Sequence, residues 1–324
     1  MTDEIRSVDE SIILQAGSCA VTILSRLGGK FSSILIEGHE LLQLPLNPYA
    51  LRTRTMSFEA SDASGWDECL PSVGGCTVET GGGPVNIPDH GDLWRVEWSK
   101  SRGQRAGNRR QPESVTLRGN CFSLPLRVER ESTLTETQKG WRLTLDYTVT
   151  NRGSEVAPWS WSAHPLFVAE ARDRIVLPDS IRELSLAGGI GDRLGKGGRR
   201  LSWPVATLPD GGPTDLSLAQ AADAGIGDKL FAGPLKADEN WCALERPKVG
   251  LRIKVGFDPA KTPYLGIWAC YGGWPERPGL KQVCAALEPS TAAVDSLAET
   301  GPWSLKLAPG ASFEWPMVVD FERM

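Results

Sequence analysis

Leu143-Thr144-Leu145-Asp146-Tyr147-Thr148-Val149 alternates apolar and polar side chains without a break. A two-residue period puts Leu143, Leu145, Tyr147 and Val149 on one face of an extended chain and the polar residues on the other. A helical stripe would also need apolar residues three apart, and no two here have that spacing. It therefore predicts a strand with one buried face. The same period recurs in Leu251-Arg252-Ile253-Lys254-Val255 and in Ser304-Leu305-Lys306-Leu307. Residues 18–24, 32–36, 114–118, 126–131 and 141–150 carry further strand-like runs, while one short helix or turn is expected over 215–223.

Turn-forming residues set the spacing of these strands. The 324 residues include 35 Gly and 23 Pro, scattered between short runs. Residues 80–84, 99–111, 188–200 and 211–213 read as loops. The arginine-rich part of the second, residues 102–110, reads as a solvated hairpin tip. Many short strands with turns about every 8–12 residues predict an all-β fold, a large antiparallel sandwich. No internal repeat or linker divides the chain, so a single domain over residues 1–324 is expected.

Composition narrows the function classes. Hydrophobic residues make up 40% and charged residues 23%, ordinary values for a globular protein. The net charge of −5 offers no basic field for nucleic acid or an anionic membrane. No stretch approaches the roughly 20 apolar residues of a membrane span, and the acidic start, Met1-Thr2-Asp3-Glu4, does not resemble a signal peptide. A cytoplasmic location follows as the expectation. The seven cysteines are odd in number and lack CxxC spacing, so they read as buried small hydrophobes and not as disulfides or zinc ligands.

Of the three histidines, two lie in segments that carry chemistry. His164 follows the tryptophan-rich run Trp159-Ser160-Trp161-Ser162-Ala163 and precedes Pro165. That proline favours an extended His164 and cannot donate to a sheet ladder, which fits a strand end turned into a cleft. His90 sits in Pro88-Asp89-His90-Gly91-Asp92, a turn in which Asp89 or Asp92 either orients the imidazole or shapes the backbone. Glu288 follows the apolar run 283–287. A carboxylate there is desolvated, and its pKa rises toward that of a useful base. Two imidazoles and a carboxylate can move protons on and off neighbouring oxygens near neutral pH.

Read in order, these segments resemble the aldose 1-epimerase (galactose mutarotase-like) superfamily. Leu27-Gly28-Gly29-Lys30-Phe31 with Glu37-Gly38-His39-Glu40 is similar to its opening hairpin, which leaves His39 a structural role. Pro88-Asp89-His90-Gly91, Ala163-His164-Pro165-Leu166-Phe167, Gly227-Asp228-Lys229-Leu230-Phe231 and Leu287-Glu288-Pro289-Ser290-Thr291 resemble its site segments. The resemblance implies a β-supersandwich and an enzyme that interconverts the α and β anomers of a sugar. Glu288 would be the general base at the anomeric hydroxyl and His164 the general acid at the ring oxygen. His90 would steady the open form and Asp228 would hold ring hydroxyls. The partner would be a small sugar, with no metal or cofactor, on a monomer or homodimer.

Several positions depart from the family's pattern. Leu166 stands where an aromatic residue is common. Either Arg52 or Arg54 could supply the substrate-binding arginine. Glu68 is expected to reach the cleft, where it would disfavour a phosphorylated sugar. Of the twelve tryptophans, Trp66 and Trp274 read as lying in glycine-containing loops and are the expected ligand contacts. Two alternatives follow: a non-catalytic sugar-binding protein of the same fold, or an epimerase for a phosphorylated hexose. The second would need a basic rim, with Arg52, Arg54, Arg102, Arg105, Arg109 and Arg110 as its candidates. A lyase or hydrolase of oligosaccharides ranks last, since the chain shows no long helical segment.

Overall fold

The computed structural model describes residues 11–101, 113–301 and 304–324. The rim candidates Arg102, Arg105, Arg109 and Arg110 lie outside them. Leu143 to Val149 fall in the centre of the strand Gly140–Asn151, whose burial alternates strictly over those residues. This strand pairs with Leu126–Thr137 on one side and Ser312–Arg323 on the other. The sheet continues through Leu251–Phe257 and Trp241–Arg246 to Arg174–Val176 at one edge, and through Glu113–Asn120 to Ser99–Lys100 at the other. All its pairings are antiparallel.

The other large sheet has eleven strands among the described residues. Its path runs Ser11–Ala16, Cys19–Leu24, Lys30–Ile36, Trp66–Cys69, Ser162–Val168, Val283–Ser290, Tyr264–Tyr271, Ile226–Ala232, Glu183–Gly189, Arg200–Ser202, and the eleventh strand, His39–Glu40, pairs with Lys30–Ile36 off this path. One hydrophobic cluster joins the two sheets and includes Val21, Phe31 and Ile34 from this sheet and Leu143, Leu145, Val319 and Phe321 from the other. The architecture is the antiparallel all-β sandwich that the alternation predicts. The 215–223 stretch resolves as turns that follow the short strand Pro213–Asp215. Among the described residues, no helix is long and apolar enough to cross a membrane. The seven cysteines are free thiols, and Cys19, Cys69, Cys242, Cys270 and Cys284 are buried.

A polar cluster also links the two sheets. Glu68, on Trp66–Cys69, accepts hydrogen bonds from Arg130 Nη1 at 2.9 Å, Tyr147 Oη at 2.8 Å and Trp161 Nε1 at 2.9 Å. Arg130 and Tyr147 belong to the eight-stranded sheet. Burial raises the Glu68 pKa, while Arg130 pulls it the other way. The expectation that Glu68 reaches the cleft is thus corrected: its carboxylate is enclosed between the sheets.

Candidate active site

Four adjacent central strands bring the predicted residues together. Ser162–Val168 pairs with Val283–Ser290, with Ser162 opposite Ser290 and Leu166 opposite Ala286. That register sets His164 opposite Glu288, and their side chains share one face. Glu288 in turn faces Gly266 on Tyr264–Tyr271, which faces Phe231 on Ile226–Ala232. His164 Nε2 lies 4.0 Å from Glu288 Oε1. Both side chains are almost wholly buried, and His164 Nδ1 and Glu288 Oε1 lack hydrogen-bond partners within the protein.

His164 lines a cleft of about 450 Å³, within the range of small-molecule sites, and Glu288 lies wholly buried behind His164 and Lys229. His90, His164, Lys229, Trp268, Trp274 and Phe58 are among its lining residues. His90 stands on the turn after Cys76–Thr80 and Gly83–Ile87. It has a positive φ of 60° and is followed by Gly91 at 68°. A Cβ at Gly91 would run into the Leu70 carbonyl, so the tight turn requires glycine there. Arg95 ties the turn down by donating to the carbonyls of Asp89 at 2.7 Å and of Gly91, and also to that of Met56. It thereby couples the His90 turn to the loop carrying Phe58. The Phe58 ring stacks on His90 at 4.0 Å and meets His164 edge-on at 5.5 Å.

The two aspartates beside His90 divide their roles. Asp89 Oδ2 lies 2.7 Å from His90 Nδ1 and orients the ring. Asp92 instead accepts hydrogen bonds from the Phe122 and Ser123 amides and the Ser123 hydroxyl, anchoring a neighbouring loop.

Sequence reasoning passed over Lys229. In Ile226–Ala232, alternate residues face opposite sides of the sheet. Lys229 takes the cleft side, where its ammonium bonds Glu288 Oε2 and lies 3.4 Å from Asp295. Asp228 points the other way and pairs with Arg193. The expectation that Asp228 holds substrate is corrected accordingly. Strand alternation, phased from the cleft-facing Phe231, could have assigned the two neighbours.

Other expected contacts move away from the cleft. Trp66 is wholly buried and packs against Phe31 and Phe167. Arg52 is enclosed by Asp62 at 2.6 Å and Asp67 at 3.1 Å, with Lys30 completing a buried network of four charges. Arg54 lies over the Phe122 ring, 4.9 Å from its centre. None of Trp66, Arg52 and Arg54 lines the cleft, whereas Trp274 does, joined by Trp268. Trp268 Nε1 donates to Gln282 at 3.1 Å, which fixes its ring. Leu166 packs with Cys270, Cys284 and Ala286 in a small apolar cluster that also contacts Trp268 and Trp274.

Burial, with added repulsion from His90 and Lys229, lowers the His164 pKa well below that of a free imidazole. Burial raises the Glu288 pKa, though Lys229 opposes the rise. Burial alone would lower Lys229; Asp295 and Glu288 more than reverse this and hold it cationic. Burial thus favours the neutral imidazole of His164, against the proton-donor role that the sequence resemblance implies.

No protein-family model and no curated protein matches the chain. Solved structures do match. The Slr1438 protein of Synechocystis sp. PCC 6803 is 16% identical with a TM-score of 0.71, over 97% of this chain and 96% of that one. A galactose mutarotase related enzyme from Lactobacillus acidophilus is 15% identical with a TM-score of 0.66, over 97% and 99%. The GalM/aldose epimerase homologue from C. elegans is 14% identical with a TM-score of 0.61, over 97% and 99%. At these identities the likeness is one of fold, and it extends over nearly the whole chain. The chain has the galactose mutarotase-like β-sandwich fold.

Proposed function

We propose that this chain is an aldose 1-epimerase-like isomerase that interconverts the α and β anomers of a free sugar. Glu288 Oε1 removes the proton of the anomeric hydroxyl while His164 Nε2 delivers a proton to the ring oxygen. The C1–O5 bond breaks to give the open-chain aldehyde. Rotation about C1–C2 presents the other carbonyl face, and closure returns both protons with the roles exchanged. The net protonation of the pair is unchanged over the cycle.

The observation that carries this reading is the His164–Glu288 pair. An imidazole that lines a sugar-sized cleft lies 4.0 Å from a carboxylate buried directly behind it, and each has an unpartnered buried atom. Two such groups side by side suit two oxygens borne by one carbon. His90, oriented by Asp89, has its other ring nitrogen available to a ring oxygen or hydroxyl. Trp268, Trp274 and Phe58 offer aromatic faces for the C–H faces of a pyranose. The phosphorylated-hexose alternative loses Arg52 and Arg54, which do not line the cleft. Among the described lining residues Lys229 is the only lysine or arginine, beside the acidic Glu59, Asp89 and Asp295.

Anomer exchange measured by NMR over a panel of free aldoses tests the proposal. Catalysed exchange of at least one sugar is the expected result. Binding without faster exchange of any sugar would overturn it in favour of a non-catalytic sugar-binding protein.

A further inference from the structure

A carboxylate base offers two oxygens, and in this cleft the two are not equivalent. Glu288 Oε2 is bonded to the Lys229 ammonium, whereas Oε1 has no partner and faces His164 Nε2 at 4.0 Å. The backbone is shaped around this arrangement. Directly opposite Glu288 stands Gly266, and a Cβ there would lie 2.9 Å from Oε2 and 3.3 Å from the Phe231 ring. Any side chain at that position would crowd Oε2 and force the carboxylate to shift. Asp295, in the loop after Val283–Ser290, braces the ammonium from a second side at 3.4 Å.

We propose that Lys229 is the positioning residue for the base: by holding Oε2 it leaves Oε1 as the single proton-accepting oxygen, turned to His164. This inference rests on the proposed anomerase reading and adds a residue to it. Lys229 acts through Glu288 and not on the sugar's reacting atoms. Around Glu288 the titratable groups are Lys229, Asp295, His164, His90, Cys69 and Cys284. Burial pushes both thiols well above their ordinary range, so they stay neutral while the others titrate. Lys229 is the permanent cation of the set. It favours the ionised form of Glu288 and disfavours the protonated form of His164, so its removal raises both pKa values together.

The test compares wild type, Lys229→Met and Lys229→Arg by two readouts. One is an NMR titration of the Glu288 carboxylate in protein carrying ¹³C-labelled glutamate, assigned with Glu288→Gln. The other is the pH dependence of kcat/KM for anomer exchange. Lys229→Met should raise the Glu288 midpoint by about one pH unit or more, tenfold in its acidity, and move the whole rate profile to higher pH. Lys229→Arg keeps the charge and should leave both close to wild type. If Lys229→Met does not fold, Gly266→Ala keeps the ammonium but displaces Oε2, and should move the midpoint in the same direction. An unmoved Glu288 midpoint in a folded variant of active protein overturns the inference and leaves the anomerase reading intact. A wild type inactive on every aldose overturns the anomerase reading itself, whatever the midpoint does.

Discussion

Trp66 and Trp274 show how differently the same side chain can be used. Trp66 fills the interior against Phe31 and Phe167, while Trp274 lines the cleft near Phe58. Trp66→Ala should cost about 3–5 kcal/mol of stability in chemical denaturation, as for other large aromatic residues deleted from a core. Trp274→Ala should leave the denaturation midpoint nearly unchanged and raise KM by about threefold to tenfold, the worth of one aromatic contact. Equal stability losses in the two variants would contradict this division. The titrating pair makes a second residue-scale prediction. In the proposed mechanism His164 must carry a proton, though burial depresses its pKa, and Glu288 must be ionised, though burial raises its pKa. The protonated His164 form therefore becomes scarcer as pH rises, and the ionised Glu288 form scarcer as pH falls. The two titrate as a coupled pair. The kcat/KM profile should be bell-shaped with its maximum on the acid side of neutrality, falling between about pH 6 and pH 8. A profile that rises across that interval would show that the imidazole is not the acid in the free enzyme.

Strand by strand, the sequence was most legible at the edges of the chemistry and least legible at its centre. Gly140–Asn151 and Leu251–Phe257 alternate because one face meets the core and the other meets solvent. The strands that carry the site do not alternate. Trp66–Cys69 is buried throughout, and Ser162–Val168 and Val283–Ser290 nearly so, because the inter-sheet core covers one face and the cleft walls cover the other. Such strands read only as apolar runs, with no signal for which side chains face the cleft. Register supplies what periodicity lacks. It sets His164 opposite Glu288, two residues separated by 124 positions in the chain. It also turns Lys229 toward Glu288 and Asp228 away. A single residue of phase separates the expected ligand contact from the observed ion pair. His90, Asp89 and their turn were legible from the Pro-Asp-His-Gly pattern, whereas Phe58 stacked on His90 left no sequence signal beyond its being aromatic.

Across the described residues, the two sheets are joined by an apolar interior that a buried ionic cluster around Glu68 crosses. Glu68 receives Arg130 and Tyr147 from the opposite sheet. Glu68→Ala leaves the Arg130 guanidinium enclosed without its carboxylate and should cost about 3–5 kcal/mol, read as a lower denaturation midpoint. An unchanged midpoint would mean that the cluster does not hold the sheets together. The sandwich matters to function because it fixes the register of its central strands, and that register places one imidazole against one carboxylate beneath a sugar-sized cleft. The most direct test of this account is the rate of anomer exchange, followed by polarimetry on a sugar that the wild type turns over, in Glu288→Gln and His164→Asn. Each variant should fold normally and lose at least about two orders of magnitude in kcat/KM, the usual contribution of a proton-transfer group. Wild-type rates in both would contradict the assignment of base and acid.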